Sequence, residues 1–124
     1  MADKNIVKNK KADRRRRRVR SKIFGTPECP RLTVSRSLKN VTVQIIDDEK
    51  KITLVGLASN SKEILKDIKP TEKKTEAAHK VGLKIAELAK AKGIEKVVFD
   101  RNQYRFHGRI KAVAEGARKG GLKF

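Results

Sequence analysis

The sequence predicts an α/β domain with the element order β-β-β-α-β-α, preceded by a basic N-terminal arm that is disordered or a frayed helix. Three observations indicate this. Apolar residues alternate with polar ones from residue 31, they recur at helical spacing further on, and basic residues concentrate at the start. A length of 124 residues supports one modest domain. We therefore expect an arm over residues 1–25 and an α/β domain over residues 26–124.

The arm carries much of the charge of the chain. Residues 1–22 hold eleven basic and two acidic residues, which is +9 of a net charge of +19. Few apolar side chains accompany them, so little burial can offset the entropy of ordering this segment. Gly25, Pro27 and Pro30 then break regular structure, which predicts a hinge before the domain.

Three strands open the domain. Leu32 and Val34 alternate with polar neighbours, and the same alternation resumes at Val41. The polar segment 37–40 between the two runs predicts a hairpin turn. After a second polar turn, residues 52–58 predict a third strand, and three antiparallel strands in series form a meander.

Helix and strand alternate in the second half. Apolar residues from Ala78 to Leu88 lie at steps of three and four, which is typical of an amphipathic helix. A short apolar run over residues 96–99 predicts a buried strand that completes a β-helix-β crossover, and we expect this strand to lie centrally in the sheet. A second helix begins near Arg109 and ends at Gly120.

Composition restricts the class of function. A net charge of +19 on a small domain calls for an anionic partner, namely nucleic acid, an anionic membrane surface or an acidic protein. The arm lacks the apolar face of an interfacial helix, so membrane binding would be weak and electrostatic. No window approaches the roughly 20 apolar residues of a membrane span, and no signal peptide is apparent, which predicts a soluble, cytoplasmic protein. The single Cys29 cannot form an internal disulfide or a cysteine-based zinc site.

The basic residues favour nucleic acid as the partner. An arginine guanidinium can hold two phosphate oxygens at once, whereas a solubilising tail or an import signal needs charge alone. Arg31 and Lys39 flank the first strand and its turn. Arg101, Arg105 and Arg109 recur at steps of four before the last helix. Charge is therefore placed at the ends of elements, as expected for an RNA-binding surface.

The segment 100–109 combines charge with surfaces suited to stacking. Tyr104 and Phe106 lie among three arginines and His107, just before a helix N-terminus. Aromatic and guanidinium planes stack on unpaired bases, and Gly108 permits close approach of the backbone to phosphate. We expect one of the two aromatic residues to cap the core instead. This chemistry suits folded RNA better than duplex DNA.

Catalysis lacks a convincing constellation of residues. The acidic turn 47–49 and Asp100 could hold Mg²⁺, but the turn also contains lysines and has no geometry fixed by strands. His79 borders the apolar stripe of a predicted helix, and His107 lies among arginines. No glycine-rich phosphate loop precedes a Lys-Ser or Lys-Thr pair. The sequence therefore predicts a protein that is not an enzyme, with no metal and no cofactor.

Segments of the domain also form a specific pattern: Arg31 to Ser37, Val43 to Asp47, Lys96 to Arg101, and His107 to Phe124. In this order, and with the arginine-rich start, they resemble the bacterial large-subunit ribosomal protein L18 family. The resemblance covers essentially the whole chain. It implies a mixed four-stranded sheet with two helices on one face, related to the ribonuclease-H-like fold. The related nucleases carry a metal-binding carboxylate in the first strand, and residues 31–36 have none.

The resemblance also implies a function and a set of partners. It implies a structural constituent of the large ribosomal subunit that binds 5S ribosomal RNA and helps to attach it to 23S ribosomal RNA. The place implied is the central protuberance, beside ribosomal protein L5, with no membrane and no small-molecule substrate involved. One departure is that Asn102 and Gln103 stand where members usually carry glycines after Asp-Arg.

Carried over residue by residue, the resemblance places RNA contacts on the arm, the first hairpin, one serine after the third strand, and the loop before the last helix. The arm residues are Lys8, Lys10, Lys11, Arg14, Arg15, Arg16, Arg17, Arg18, Arg20 and Lys22. The domain residues are Arg31, Thr33, Ser35, Arg36, Ser37, Lys39, Asn40, Thr42, Gln44, Ser59, Arg101, Tyr104, Arg105, His107, Gly108 and Arg109.

Overall fold

The structure, a computed structural model, describes residues 4–69 and 71–124, and it leaves out the side chains of residues 4–6 and 63. Residues 1–3, at the predicted signal-free start, and Pro70, at the predicted break before the long helix, lie outside the described residues. The elements are α1 (Lys4–Arg20), β1 (Arg31–Arg36), β2 (Val41–Asp47), β3 (Ile52–Ala58), α2 (Lys62–Leu65), α3 (Lys74–Ala91), β4 (Val98–Asp100) and α4 (Gly108–Lys119).

The four strands form one mixed sheet in the order β3-β2-β1-β4. β1 and β2 pair antiparallel, with Leu32 opposite Ile45, and β2 and β3 continue the meander antiparallel. β4 pairs with β1 in parallel, with Phe99 opposite Leu32. The predicted element order and the mixed sheet are therefore confirmed.

β4 lies at the edge of the sheet, and the expectation that it would be central is wrong. Continuous ladders hold β1, β2 and β3 side by side, so a strand inserted between them would break one of these ladders. The crossover through α3 instead brings β4 to the free side of β1. β4 is also shorter than predicted, because the chain just before it pairs with the C-terminal segment through a Lys96–Lys123 bridge.

One hydrophobic core lies between the sheet and the helices α3 and α4. In β2 every second residue from Val41 to Ile45 is buried, whereas Thr42 and Gln44 between them are exposed. Both helices therefore lie on one face of the sheet, as predicted. Each fully buried aliphatic side chain contributes about 1.5–3 kcal/mol. The helices supply Ala78, Val81, Ile85, Ala86 and Ala89 from α3, and Ile110, Val113 and Ala117 from α4.

Two glycines allow α3 and α4 to cross with their backbones in contact. A Cβ atom on Gly82 would lie 2.2 Å from the carbonyl oxygen of Val113. A Cβ atom on Gly116 would lie 2.2 Å from the carbonyl oxygen of His79. Real Cβ atoms do not approach so closely. The short distance between α3 and α4 therefore requires glycine at both positions.

The arm is a helix, α1, so of the two states expected for it, disordered or a frayed helix, the structure has the helix. The composition of the arm offers little apolar surface to bury, and polar side chains hold this helix to the domain instead. Its inward row is Ala12, Arg16 and Arg20 at four-residue steps, of which Ala12 is buried and the two arginines are half-buried. Within the described part of the chain, no helix is long and apolar enough to span a membrane.

β3 forms the other edge of the sheet, and its outer side has no strand partner within the described residues. Ile52 at its start is 47% exposed. In the middle of the strand, the Lys92 ammonium donates to the Leu54 carbonyl at 2.7 Å. A lysine side chain thus occupies one backbone acceptor on an otherwise open edge.

We expect Gly82→Ala to lower the free energy of unfolding by about 1–3 kcal/mol, because a methyl group at the helix crossing forces the two backbones apart. Alanine is the better helix former, so any loss measures the clash. Denaturant unfolding followed by circular dichroism measures the effect. Gly56→Ala is the matched control, since nothing lies within 4 Å of a Cβ atom there. Equal midpoints for the two variants would contradict the prediction.

Candidate nucleic-acid interface

The carboxylate of Asp100 joins the arm to the sheet. Asp100 ends β4 and is fully buried. Its Oδ2 accepts hydrogen bonds from Arg20 Nε at 2.9 Å and from Arg31 Nη1 at 2.7 Å. Its Oδ1 accepts a hydrogen bond from the backbone N–H of Asn102 at 2.8 Å. One carboxylate therefore links α1, β1 and the loop after β4.

Burial and hydrogen bonding act in opposite directions on this carboxyl group. Burial raises the pKa of Asp100, but the Asn102 N–H and the guanidinium groups of Arg20 and Arg31 together hold that pKa below its usual range. Asp100 is therefore ionised at neutral pH, and each of its partners matters, because an unpaired buried charge is strongly destabilising.

Asp48 fastens the segment that was predicted to be a hinge. Its Oδ2 accepts hydrogen bonds from the Gly25 N–H at 2.8 Å and from Arg31 Nε at 2.9 Å. The Asp48 N–H donates in return to the Gly25 carbonyl at 3.0 Å. The hydrogen bond from Arg31 lowers the pKa of Asp48. Residue 25 is thus pinned to the β2–β3 turn, which leaves little freedom for a hinge at this point.

Arg16 is held by the loop that follows β4. Its Nε donates to Asn102 Oδ1 at 2.8 Å, its Nη2 to Gln103 Oε1 at 2.8 Å, and its Nη1 to Asp13 Oδ1 at 2.7 Å. Asn102 is 7% exposed and has a φ of 60°, a left-handed conformation that asparagine tolerates better than most residues. Asn102 therefore adopts a backbone conformation in which glycine is common. Unlike glycine, it also has a side chain that accepts the hydrogen bond from Arg16.

Asn102 and Gln103 were not among the predicted site residues. The available signal was a pair of amide side chains directly after an Asp-Arg pair, in a chain with an arginine-rich arm. Amide oxygens accept hydrogen bonds from guanidinium groups, but nothing in the sequence spacing shows that residue 16 lies beside residue 102.

The same loop also contacts the end of β1. The Tyr104 hydroxyl accepts from the Arg36 N–H at 3.2 Å, and the Arg36 guanidinium lies 4.8 Å from the centre of the Tyr104 ring. Arg109 Nη1 donates to the Ser37 carbonyl at 2.8 Å. The loop before α4 and the β1–β2 hairpin therefore form one continuous surface.

Ser59 extends this surface to the other side of the hairpin. Its Oγ donates to Asn40 Oδ1 at 2.9 Å and accepts from the Val41 N–H at 3.1 Å. A groove of about 290 Å³ opens beside it, with Lys39, Lys74 and Arg109 among its lining residues. Glu72 and the apolar side chains of Leu65 and Ile68 also line this groove, so its lining is mixed in charge and polarity.

The two aromatic residues of the loop take different environments. Tyr104 packs against the core, as expected for one of the pair. Phe106 is 44% exposed, and its ring meets that of Phe99 edge to face at 5.8 Å between centroids. Phe99 in turn stacks on Phe124 at 5.5 Å. The Phe106 ring therefore packs against Phe99 and remains partly open to solvent.

Most of the predicted RNA-binding residues are exposed. Eight are half-buried, in most cases because they contact neighbouring segments: Arg16, Arg20, Asn40, Ser59, Arg101, Tyr104, Gly108 and Arg109. The exposed ones are Lys8, Lys10, Lys11, Arg14, Arg15, Arg17, Arg18, Lys22, Ser35, Arg36, Ser37, Lys39, Thr42, Gln44, Arg105 and His107.

Arg31 and Thr33 are buried, unlike the other predicted positions of the first hairpin. Strand alternation places them on the face away from α3 and α4, together with Ser35. Arg31 is enclosed there because it bonds to both Asp48 and Asp100. Arg31 and Thr33 therefore do not present their side chains to a ligand in this structure, whereas Ser35, Thr42 and Gln44 on the same face do.

The acidic residues considered for a metal site have structural contacts. Asp100 and Asp48 bind guanidinium groups, and Asp47 Oδ1 accepts from the Glu49 N–H at 3.0 Å and the Lys50 N–H at 3.3 Å. Within the described ranges, no group of three metal-ligating side chains comes together. What the surface offers is cations, hydroxyls, amides and an aromatic ring.

The chain is similar along nearly its whole length to known proteins. The profile of the family described as "Ribosomal L18 of archaea, bacteria, mitoch. and chloroplast" matches residues 6–124. The large ribosomal subunit protein uL18 of Caldicellulosiruptor saccharolyticus is 52% identical over 121 residues, which are 98% of this chain and 97% of that protein. The protein of the same name from Pediococcus pentosaceus is 53% identical over 94% of this chain and 95% of its own length. That from Thermotoga neapolitana is 51% identical over 98% of both chains.

We expect Asp100→Asn to lower the free energy of unfolding at pH 7 by about 3 kcal/mol, because Arg20 and Arg31 lose a buried counter-charge while Arg31 keeps Asp48. The pKa of Asp100 is lower in the folded state than in the unfolded state. The ion pairs therefore stabilise the fold fully above the unfolded pKa, near pH 4, and this contribution disappears as pH falls through the folded value.

Denaturant unfolding at pH 7 and at pH 3 checks this expectation, and the difference between variant and wild type should shrink at the lower pH. Asp67→Asn, at an exposed position, is the control for loss of one negative charge. An Asp100→Asn protein as stable as this control at pH 7 would rule out the role assigned to Asp100.

Proposed function

Because the chain belongs to the ribosomal L18 family and is therefore a protein of the large ribosomal subunit, we propose that it binds 5S ribosomal RNA and helps to attach it to 23S ribosomal RNA. The proposed place is the central protuberance, with ribosomal protein L5 as a neighbour. The role is structural, and the proposed mechanism makes and breaks no covalent bond.

One observation carries the proposal: three segments that are distant in sequence, each with predicted RNA contacts, meet in the fold. The arm joins the loop through Arg16 and Asn102, and the loop joins β1 through Asn102 and Ser35, whose side chains lie 3.4 Å apart. Arg109, at the start of α4 directly after the loop, reaches the hairpin turn. A ligand that touches one segment can therefore touch all three.

The chemistry of this surface suits irregular RNA. The exposed arginines of α1 supply charge for phosphates, and their planar forks suit paired oxygen atoms. Ser35, Thr42 and Gln44 on the open face of the sheet provide hydrogen-bonding groups that can set register. Phe106 offers a ring on which an unpaired base can stack. Phosphate contacts then supply affinity, and the sheet face and the loop supply specificity.

The proposal treats α1 as an RNA-binding arm and residues 26–124 as the domain that holds it. The polar side chains that hold α1 to the domain, Arg16 and Arg20, both lie in its second half. The domain has its own core, to which α1 does not contribute. Without Arg20, Asp100 still keeps Arg31 and the Asn102 N–H as partners, so we expect the domain to fold without the arm.

The purified protein should bind 5S ribosomal RNA near physiological salt in the presence of excess transfer RNA, since specific contacts survive a competitor that removes charge-driven binding. Electrophoretic mobility shift or filter binding measures the complex. Arg105→Ala, at an exposed loop position, should weaken this complex about five- to tenfold. Lys111→Ala, at an exposed position on α4, removes the same charge and should have less than a twofold effect.

Loss of all 5S ribosomal RNA binding on addition of transfer RNA would refute the proposal. The protein would then be a general polycation in this assay. Equal effects of the Arg105→Ala and Lys111→Ala changes would leave the proposed binding of 5S ribosomal RNA standing but contradict an RNA contact at Arg105.

Deletion of residues 1–22 should flatten the salt dependence of RNA binding while the domain stays folded. Eleven basic residues are lost. If the full chain engages about 6 to 10 phosphates, its affinity falls roughly 10³- to 10⁵-fold between about 50 and 200 mM salt, and the shortened chain should lose much less. Affinity at several salt concentrations gives the slope, and circular dichroism reports the fold. An unchanged slope, or an unfolded shortened chain, would contradict the division into arm and domain.

A further inference from the structure

Arg16 differs from its neighbours in the arginine run in the direction of its guanidinium group. All three of its nitrogen atoms donate to protein acceptors, two of them on the loop after β4. The side chains of Arg17 and Arg18 are exposed and have no hydrogen-bond partner among the described residues. Arg16 therefore faces the domain while the next two arginines face solvent.

The acceptor of Arg16 is itself fixed to the sheet. The Asn102 amide nitrogen donates to the Val34 carbonyl at 3.2 Å and lies 3.4 Å from Ser35 Oγ. Its amide oxygen accepts from the Gln103 N–H at 2.9 Å as well as from Arg16. We call Arg16, Asn102 and Gln103 the Arg16 latch. It connects the helix to the middle of the sheet through one buried amide.

Two polar contacts fix the direction of α1, in addition to the packing of Ala12. A helix of 17 residues is about 25 Å long, and Arg16 and Arg20 lie about 6 Å apart along it. Arg20 is fixed by Asp100, and Arg16 by the latch. With Arg20 alone the helix would keep one polar anchor near its C-terminal end, and only the packing of Ala12 would restrain the part before it. Like charges three and four residues apart also repel, so α1 does not order itself.

We propose that Asn102 and Gln103 are positioning residues for RNA binding, which hold Arg16 as the second fixed point of α1 and so orient its outward arginines as one array. The inference rests on the proposed function, because it takes RNA phosphates as the ligand of that array. Asn102 and Gln103 act through Arg16 and not by contact with RNA. Arg16 likewise acts through the loop, unlike Arg17.

The effect on affinity follows from the orientations that α1 can adopt. When both points are fixed, the array meets RNA in one direction, and little orientational freedom is lost on binding. When the latch is absent, only a fraction of orientations is competent, and the apparent affinity falls by that fraction. Removal of either side of the latch has the same consequence, so the two removals should not add.

A double-mutant cycle on RNA affinity tests this inference. Arg16→Ala is combined with a loop variant that carries Asn102→Gly and Gln103→Ala. Glycine accepts the φ of 60° at position 102, so the backbone is kept while the side chain is lost. Each change alone should lower the affinity for 5S ribosomal RNA about fivefold, and the combination should cost no more than about twofold beyond either one.

Arg17→Ala is the matched control, because it removes the same charge one position along the helix. It should lower affinity by the same factor in the wild-type loop and in the loop variant. The proposal would be overturned if the double variant lost affinity by the product of the Arg16→Ala factor and the loop-variant factor, as expected for Arg17→Ala. Arg16 would then act independently of the loop.

Thermal unfolding of each variant separates positioning from loss of fold. If the loop variant does not fold, Gln103→Ala alone, at a half-buried position, takes its place in the cycle. If the wild-type protein shows no preference for 5S ribosomal RNA over transfer RNA, the proposed function fails. The double-mutant cycle is then measured with transfer RNA as the ligand. Non-additivity there supports the latch, and additivity overturns it.

Discussion

The buried carboxylate of Asp100 is the interaction on which the rest of the arrangement depends. It accepts from a guanidinium on the arm, a guanidinium on β1 and a backbone N–H of the loop. A buried charge of this kind is stable only when it is paired, so this carboxylate favours the arrangement in which the arm, the sheet and the loop meet. Because Arg31 also binds Asp48, the same network extends to the turn after β2 and to Gly25. The RNA-binding surface proposed for this protein is assembled from segments that this network joins.

Much of the fold follows from local patterns in the sequence. Alternation in β2 and the apolar steps of α3 report burial directly, and Gly120 marks the end of α4. The position of β4 does not follow from such patterns, because a short apolar run shows that a strand is buried and not which neighbour it pairs with. The docking of helix α1 on the domain was missed for a different reason. Its anchors are ion pairs and amide hydrogen bonds to residues about 80 positions away, and composition carries no record of such partners.

The candidate site was predictable in its chemistry and less so in its geometry. Arginine and hydroxyl residues identify a nucleic-acid surface, and most of them are exposed. Residue type alone does not separate Arg31 and Arg16, which bind protein carboxylates and amides, from Arg17 and Arg18, which are open to solvent. An arginine fork recognises a protein carboxylate by the same geometry as a phosphate. Their different roles thus depend on which way each side chain points once the helix is docked.

The open edge of β3 bears on the period before this protein meets its RNA. A seven-residue edge strand offers unpaired backbone groups to other exposed strands, which is a common route to aggregation. The Lys92 ammonium donates to the Leu54 carbonyl of this strand and would have to be displaced before another strand could pair with that carbonyl. Copies of a chain with a net charge of +19 also repel one another. Charge repulsion at long range, and Lys92 at one position of the strand edge, therefore oppose self-association of molecules that have not yet joined a ribosome.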